Sequence, residues 1–277
     1  MVTSEIGPPK GIETAQLLED AELIRGRVDG INVTDLQSSV MRLGSLAMCA
    51  LLEQRGFEPI FQLTCRDRNR LALQSDILSA AVLGIENILI LTGDHPTLGD
   101  HPEAKPVFDL DSVQLLQVVH NLQKGFDMKQ NKLIGRPPKF CVGAVVNPGA
   151  DPLEPQIIKM EKKIEAGAEF FQTQAVYDIK VFENFLNKTR HLKTTILAGI
   201  VLLKSAGMAR YMNKNVAGVF VPDELIKEME EAKDKTAQSV EIAVRLIKDL
   251  RVMCQGIHIM PIGWDMLVPQ ILDSSGF

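Results

Sequence analysis

The chain has 277 residues, 45% hydrophobic and 23% charged, the composition of a folded globular protein with a sizeable core. A net charge of −5, from 30 basic and 35 acidic residues, argues against a general nucleic-acid-binding surface. No apolar run approaches the roughly 20 residues that a membrane span needs, no signal peptide is visible at Met1–Lys10, and four scattered cysteines without a Cys-x-x-Cys pair suit free thiols in a reducing cytoplasm.

Short apolar strands alternate with amphipathic helices from end to end. The expected strands are Thr3–Ile6, Gly30–Thr34, Pro59–Thr64, Asn87–Leu91, Phe140–Val146, Phe170–Thr173, Thr195–Ile200 and Gly256–Met260. Between them, apolar spacing predicts helices over Glu13–Arg25, Ser39–Gln54, Arg70–Leu83, Ser112–Gln123, Pro155–Ala166, Ile179–Lys188 and Lys235–Arg251. Asp111-Ser112 offers an N-cap, and Gly84, Gly125 and Gly167 close other helices. Two stretches break the rhythm, Gly93–Asp109 and Lys204–Glu231, the second with a helix start at Val221-Pro222-Asp223-Glu224.

Eight strand–helix units over this length match a single α/β domain spanning 1–277, a (β/α)₈ TIM barrel. An open doubly wound sheet is the alternative. It lacks support, because no Gly-x-Gly-x-x-Gly follows the first strand and no phosphate-loop Gly-Lys-Ser/Thr occurs.

In such a barrel the residues after each strand converge on one face. They include Glu5, Thr34-Asp35, Gln62, Thr64-Cys65-Arg66, Thr92-Gly93-Asp94, Asn147, Gln172, Gln174, Lys204-Ser205 and Pro261. The face is polar, with two acids and several amides, and it holds neither a metal-ligand cluster nor a nucleophile–base pair. Glu5, ahead of the rigid Gly7-Pro8-Pro9 turn, is either a general acid in a partly apolar mouth or a solvated residue near a frayed end. Asp94 follows a buried strand directly and is either a site carboxylate or a loop cap. His95 and His101 recur in a doubled Gly-Asp-His-Pro whose spacing suits a lid loop better than a metal site. Arg66-Asp67-Arg68-Asn69-Arg70 is either a capped helix start or an anion clamp. Gln172 and Gln174 share one side of their strand, where an amide suits recognition of a heterocycle. Cys65 and Cys141 read as small core residues.

Five segments together resemble methylenetetrahydrofolate reductases of the bacterial type, nearly end to end. They are Glu5-Ile6-Gly7-Pro8-Pro9-Lys10-Gly11, Asn32-Val33-Thr34-Asp35, Leu63 to Arg70, Leu91-Thr92-Gly93-Asp94-His95-Pro96 and Thr173 to Asp178. The resemblance implies a flavin-dependent barrel that reduces 5,10-methylenetetrahydrofolate to 5-methyltetrahydrofolate by hydride transfer from reduced flavin. It implies Glu5 as the acid that protonates N10, Asp94 beside flavin and pterin, and Gln174 with Tyr177 on the folate. It further implies flavin contacts at Thr34, Gln62, Leu91, Thr92, Gly93, Asp94, His95, Phe108, Asp109, Ala144 and Val145, with Lys162 and Lys163 on the phosphate side.

Longer reductases carry histidine in place of Gln62, arginine in place of Thr92, and phenylalanines after Gln174. The isoalloxazine is expected to survive these changes. The adenine half of FAD is less well provided for, so FMN is the other cofactor implied. The electron donor implied is NAD(P)H or an iron–sulfur partner subunit, within a homo- or hetero-oligomer. The alternatives are a flavin-free pterin-binding methyltransferase barrel, or a reductase subunit active only beside its electron-delivering partner.

Overall fold

The apolar runs at Pro59–Thr64 and Asn87–Leu91 are too short for helices and show no alternation, which suits strands covered on both faces. In the computed structural model, which describes residues 1–277, eight parallel strands close into one barrel in sequence order. They are β1 (Val2–Ile6), β2 (Gly30–Val33), β3 (Pro59–Thr64), β4 (Asn87–Leu91), β5 (Cys141–Val146), β6 (Phe170–Ala175), β7 (Thr195–Val201) and β8 (Gly256–Met260). The expected (β/α)₈ barrel is the fold observed. β1 closes the ring by pairing with β8, so that Thr3 stands opposite His258.

Ten α-helices surround the strands: α1 (Ala15–Glu22), α2 (Ser45–Glu53), α3 (Arg70–Val82), α4 (Ser112–Gln123), α5 (Glu154–Glu165), α6 (Ile179–Thr189), α7 (Ala206–Asn215), α8 (Asp223–Glu231), α9 (Lys235–Leu250) and α10 (Val268–Ser275). Side-chain oxygens start several of them. Asn69 accepts from the amides of Leu71 and Ala72, and Asp111 forms a reciprocal capping box with Gln114. The main core lies between strands and helices, while Ile60, Leu89, Phe170 and Leu197 fill the barrel interior. No helix is long and apolar enough to cross a membrane.

The structure departs from the sequence reading in four places. The helix expected from Ser39 begins at Ser45, because Leu36, Ser38 and Ser39 hold left-handed conformations with φ of 49°, 55° and 58°. The irregular stretch 204–231 contains two helices, α7 and α8, the second starting at the expected Asp223. The C-terminal segment adds α10. Cys141, expected in the core, is exposed at the start of β5, whereas Cys65 is buried.

Candidate active site

Strand parity decides which side chains enter the barrel. On β1, Thr3 and Glu5 point inward, as do Asn32 on β2, Gln62 on β3, Gln172 on β6 and His258 on β8. Above the apolar plug they form a polar layer, and above that opens a cavity of about 410 Å³ at the C-terminal ends of the strands. Glu5, Thr34, Gln62, Leu91, Thr92, Gly93, Asp94, Val145, Lys163, Gln172 and Gln174 all line it, so the ends of β1 to β6 and one side chain of α5 meet in one place. Gln172 and Gln174 both reach the cavity although a register shift separates Gln172 from Ala175 in the β6–β7 pairing.

Glu5 sits at the floor with its side chain 11% exposed. Its Oε1 accepts from Gln37 Nε2 at 3.2 Å and its Oε2 from Gln62 Nε2 at 3.3 Å. The Nε2 of buried His258 lies 3.8 Å from Oε2. Gln37 reaches Glu5 from the left-handed segment that displaced the start of α2. Asp94 lines the same cavity. Its backbone carbonyl accepts from Arg66 Nη1 at 3.2 Å, while its exposed carboxylate has no hydrogen-bond partner. Asp94 is therefore no loop cap.

The arginine run is the scaffold of this wall. Arg66 is 1% exposed and spends its guanidinium on Asp67 and on the carbonyls of Asp94 and Leu36. Arg68 forms a two-pronged pair with fully buried Asp35 at 2.7 and 3.1 Å, and Asp35 also accepts from the amide and hydroxyl of Thr64. Arg70 clasps Asp109. With every guanidinium paired inside the protein, an anion clamp is not what these residues form. Gly93 (φ +89°) threads between Arg66 and Thr64, where an added Cβ would lie 3.1 and 3.2 Å from theirs.

Several expected site residues lie elsewhere. Phe108 stacks on His95 outside the cavity, and Asp109 is taken by Arg70. His95 caps its own turn through Thr97, and His101 leans on Asp100. Ala144 has the opposite parity to Val145 and faces the helices. Tyr177 is buried behind β6, its hydroxyl donating to the Val201 carbonyl at 2.9 Å, and burial pushes its phenol pKa up. Lys162 is exposed on the outer face of α5, because the helical repeat pairs Lys163 with Lys159 instead. Lys163 is 4% exposed and donates to the Val145 carbonyl at 2.6 Å. Burial, with Lys159 beside it, lowers its pKa to about 8. His258, Asn32, Gln37 and Lys159 were not singled out by the sequence reading. His258 could have been found, since it shares the inward parity of Gly256 and Met260.

A family model described as methylenetetrahydrofolate reductase matches residues 1–276. The chain belongs to the methylenetetrahydrofolate reductase family. Methylenetetrahydrofolate reductase 2 of Schizosaccharomyces pombe is 26% identical over 258 residues, covering 84% of this chain and 38% of the relative. A probable methylenetetrahydrofolate reductase (NADPH) of Caenorhabditis elegans is 21% identical over 90% of this chain and 36% of its own length. The chain thus spans less than two-fifths of these relatives. Among solved structures, an uncharacterized Clostridium thermocellum protein, described as binding two copies of 5-methyl-5,6,7,8-tetrahydrofolic acid, superposes with a TM-score of 0.70. It is 18% identical and covers 99% of this chain and 93% of its own. A 2,3-dimethylmalate lyase shares the fold at a TM-score of 0.52 and 10% identity.

Proposed function

We propose that the chain reduces 5,10-methylenetetrahydrofolate to 5-methyltetrahydrofolate at this cavity, with a bound flavin. The observation that carries the reading is the pairing of two carboxylates across one cavity in a chain of this family. Glu5 is held by amide donors at the floor, and Asp94 is unpaired at the rim. The folate-binding neighbour supports a pterin as the second occupant.

The residues fit a flavin. Thr34 Oγ1 is buried at the cavity wall with no hydrogen-bond partner, a polar atom awaiting a ligand. Lys163 and Lys159 supply cations on the same wall for a phosphate, and Leu91 and Val145 supply apolar surface for a ring. When bound, the flavin would supply the hydride. The protein's part is acid–base and electrostatic work. Glu5 delivers a proton to N10, the C–N10 bond of the five-membered ring breaks, and an iminium forms at N5. The Asp94 carboxylate favours that cation, and Gln174 is available to hydrogen-bond the pterin. Hydride addition to the methylene carbon then completes the methyl group.

The test is to purify the chain, extract and identify any flavin, and assay methylenetetrahydrofolate reduction with NADH, NADPH and an artificial donor in parallel. A yellow protein holding FAD or FMN and forming 5-methyltetrahydrofolate is expected. A protein that binds folate yet takes up neither flavin at saturation would contradict the reading and favour methyl transfer instead. Turnover with the artificial donor alone would indicate electrons delivered by a partner subunit.

A further inference from the structure

Beneath Glu5 runs a chain of buried polar groups that none of the roles above uses. Asn32 Nδ2 donates to Gln172 Oε1 at 2.8 Å, and Gln172 Nε2 donates back to Asn32 Oδ1 at 2.9 Å. Gln172 Nε2 also donates to Thr3 Oγ1 at 3.2 Å. Thr3 Oγ1 lies 2.9 Å from His258 Nδ1, and His258 Nε2 lies 3.8 Å from Glu5 Oε2. Asn32, Gln172, Thr3 and His258 are all 3% exposed or less. A buried chain of this kind has to satisfy every donor and acceptor at once.

The donors fix its direction. Thr3 Oγ1 accepts from Gln172, and His258 Nδ1 is the one acceptor within reach of its own hydrogen, so satisfying that hydrogen makes Nδ1 the unprotonated ring nitrogen. A neutral imidazole so held carries its hydrogen on Nε2, facing Glu5. The opposite direction, with both amides turned over, would put the Nε2 lone pair against the Glu5 carboxylate. The chain also ends in a closed pair of amides, which exchange no protons with a hydroxyl on a catalytic time scale. It can orient a proton but cannot conduct one.

We infer that His258 is a positioning residue, locked as the neutral Nε2–H form by Thr3 and Gln172, that reserves Oε2 of Glu5 for N–H donors. The proton Glu5 gives to substrate is thereby assigned to Oε1, the oxygen it shares with Gln37 alone. The catalytic part of this inference rests on Glu5 being the acid, as proposed above. The tautomer does not. Apo-structure hydrogen bonds of catalytic groups are commonly long, and the 3.8 Å gap is expected to close when substrate fills the cavity. The charged groups that share the cavity with this pair are Asp35, Arg66, Asp94, Lys159 and Lys163, and Asp265 after β8, with Asp20 and Lys204, is coupled to Glu5 from beside it. The charge of Glu5 adds to the burial that pushes the Asp265 carboxyl up to about 6, and Lys204 opposes it.

The direct test is long-range ¹H–¹⁵N spectroscopy of the full chain labelled in histidine at neutral pH, with Asp265→Asn as the control for that neighbour. The expected spectrum shows His258 protonated on Nε2 alone, and a mixture of tautomers in Thr3→Val. A wild-type ring protonated on Nδ1, or on both nitrogens, would overturn the lock whatever the activity. In turnover, Thr3→Val and His258→Phe should slow folate reduction by about tenfold and displace the high-pH limb of its profile, with reduction of the flavin by donor unchanged. Thr3→Ser keeps the hydroxyl and should restore both. Unchanged rates and profiles in folded variants would remove the catalytic role. Absence of folate turnover in the wild type would count against the functional reading, and the spectrum would still decide the tautomer.

Discussion

At the residue scale, the decisive contrast is between Glu5 and Asp94. Glu5 is nearly enclosed and surrounded by N–H groups, whereas Asp94 has no partner and faces the cavity from an exposed rim. The proposed reaction uses this contrast, with proton exchange at Glu5 in a fixed geometry and the charge of Asp94 acting on a cation. Glu5→Gln should lower folate turnover by about 10²-fold or more, the scale of lost general acid catalysis, with reduction of the flavin by donor left intact. Separate stopped-flow measurement of the two half-reactions checks this. Lys163 gives a pH prediction. Burial lowers its pKa to about 8, below the ordinary lysine value, so the folded protein sheds this proton while the unfolded chain keeps it. The sign follows: from about pH 8 up to the unfolded value, the unfolded state binds more protons, and stability gains from Lys163 as pH rises. Anion binding runs the other way. Affinity for the flavin phosphate should fall by about tenfold per pH unit above the Lys163 midpoint, and Lys163→Met should flatten that dependence in equilibrium titrations.

At the scale of elements, the segment 93–109, expected as a lid, is a loop pinned at several points. Asp100 accepts from Lys10 at 2.7 Å and from the Met41 amide at 2.9 Å, which accounts for the second Gly-Asp-His-Pro. The Val107 amide donates to the Arg66 carbonyl at 2.8 Å. Gly99 sits against the backbone of Ser39, where an added Cβ would lie only 1.8 Å from the carbonyl oxygen. Gly99→Ala must therefore push the loop away from the segment that carries Gln37. Amide exchange over 36–41 and 93–109 should accelerate roughly tenfold, with the barrel strands unaffected. Protection unchanged in both segments would show that the contact does not hold the loop.

This scale also marks what the sequence could reveal. All eight strands were legible, because each is a short apolar run at a regular interval, and the residues after them named about half of the cavity wall, while Cys65, Lys204, Ser205 and Pro261 lie outside it. Segment 36–44 was not, since its left-handed residues are serine and leucine, which carry no turn signal of the glycine kind. Residues implied by family likeness fared worse where geometry decides. Ala144, Lys162 and Tyr177 are one step of strand parity, helical phase or loop path away from the cavity. His258 was missed for the opposite reason. It is a single histidine in an apolar strand, and only its cross-strand partner Thr3 gives it meaning.

At the scale of the whole molecule, the barrel separates duties by depth. An apolar plug of Ile60, Leu89, Phe170 and Leu197 holds the strands together. The polar layer of Thr3, Asn32, Gln172 and His258 orients Glu5, and the open end collects ligand-facing groups from distant parts of the chain. The ion pairs of Asp35–Arg68 and Arg70–Asp109 brace that open end, the first from the cavity wall itself. The central claim is that the cavity holds a flavin and a folate whose reaction Glu5 assists. The most direct measurement is a single turnover. The protein is loaded with FAD or FMN, reduced anaerobically, and mixed with 5,10-methylenetetrahydrofolate while flavin absorbance and folate product are followed. The account predicts that the oxidised flavin spectrum returns with one equivalent of 5-methyltetrahydrofolate, and that Glu5→Gln slows this step alone. A loaded protein that stays bleached and yields no 5-methyltetrahydrofolate would contradict it.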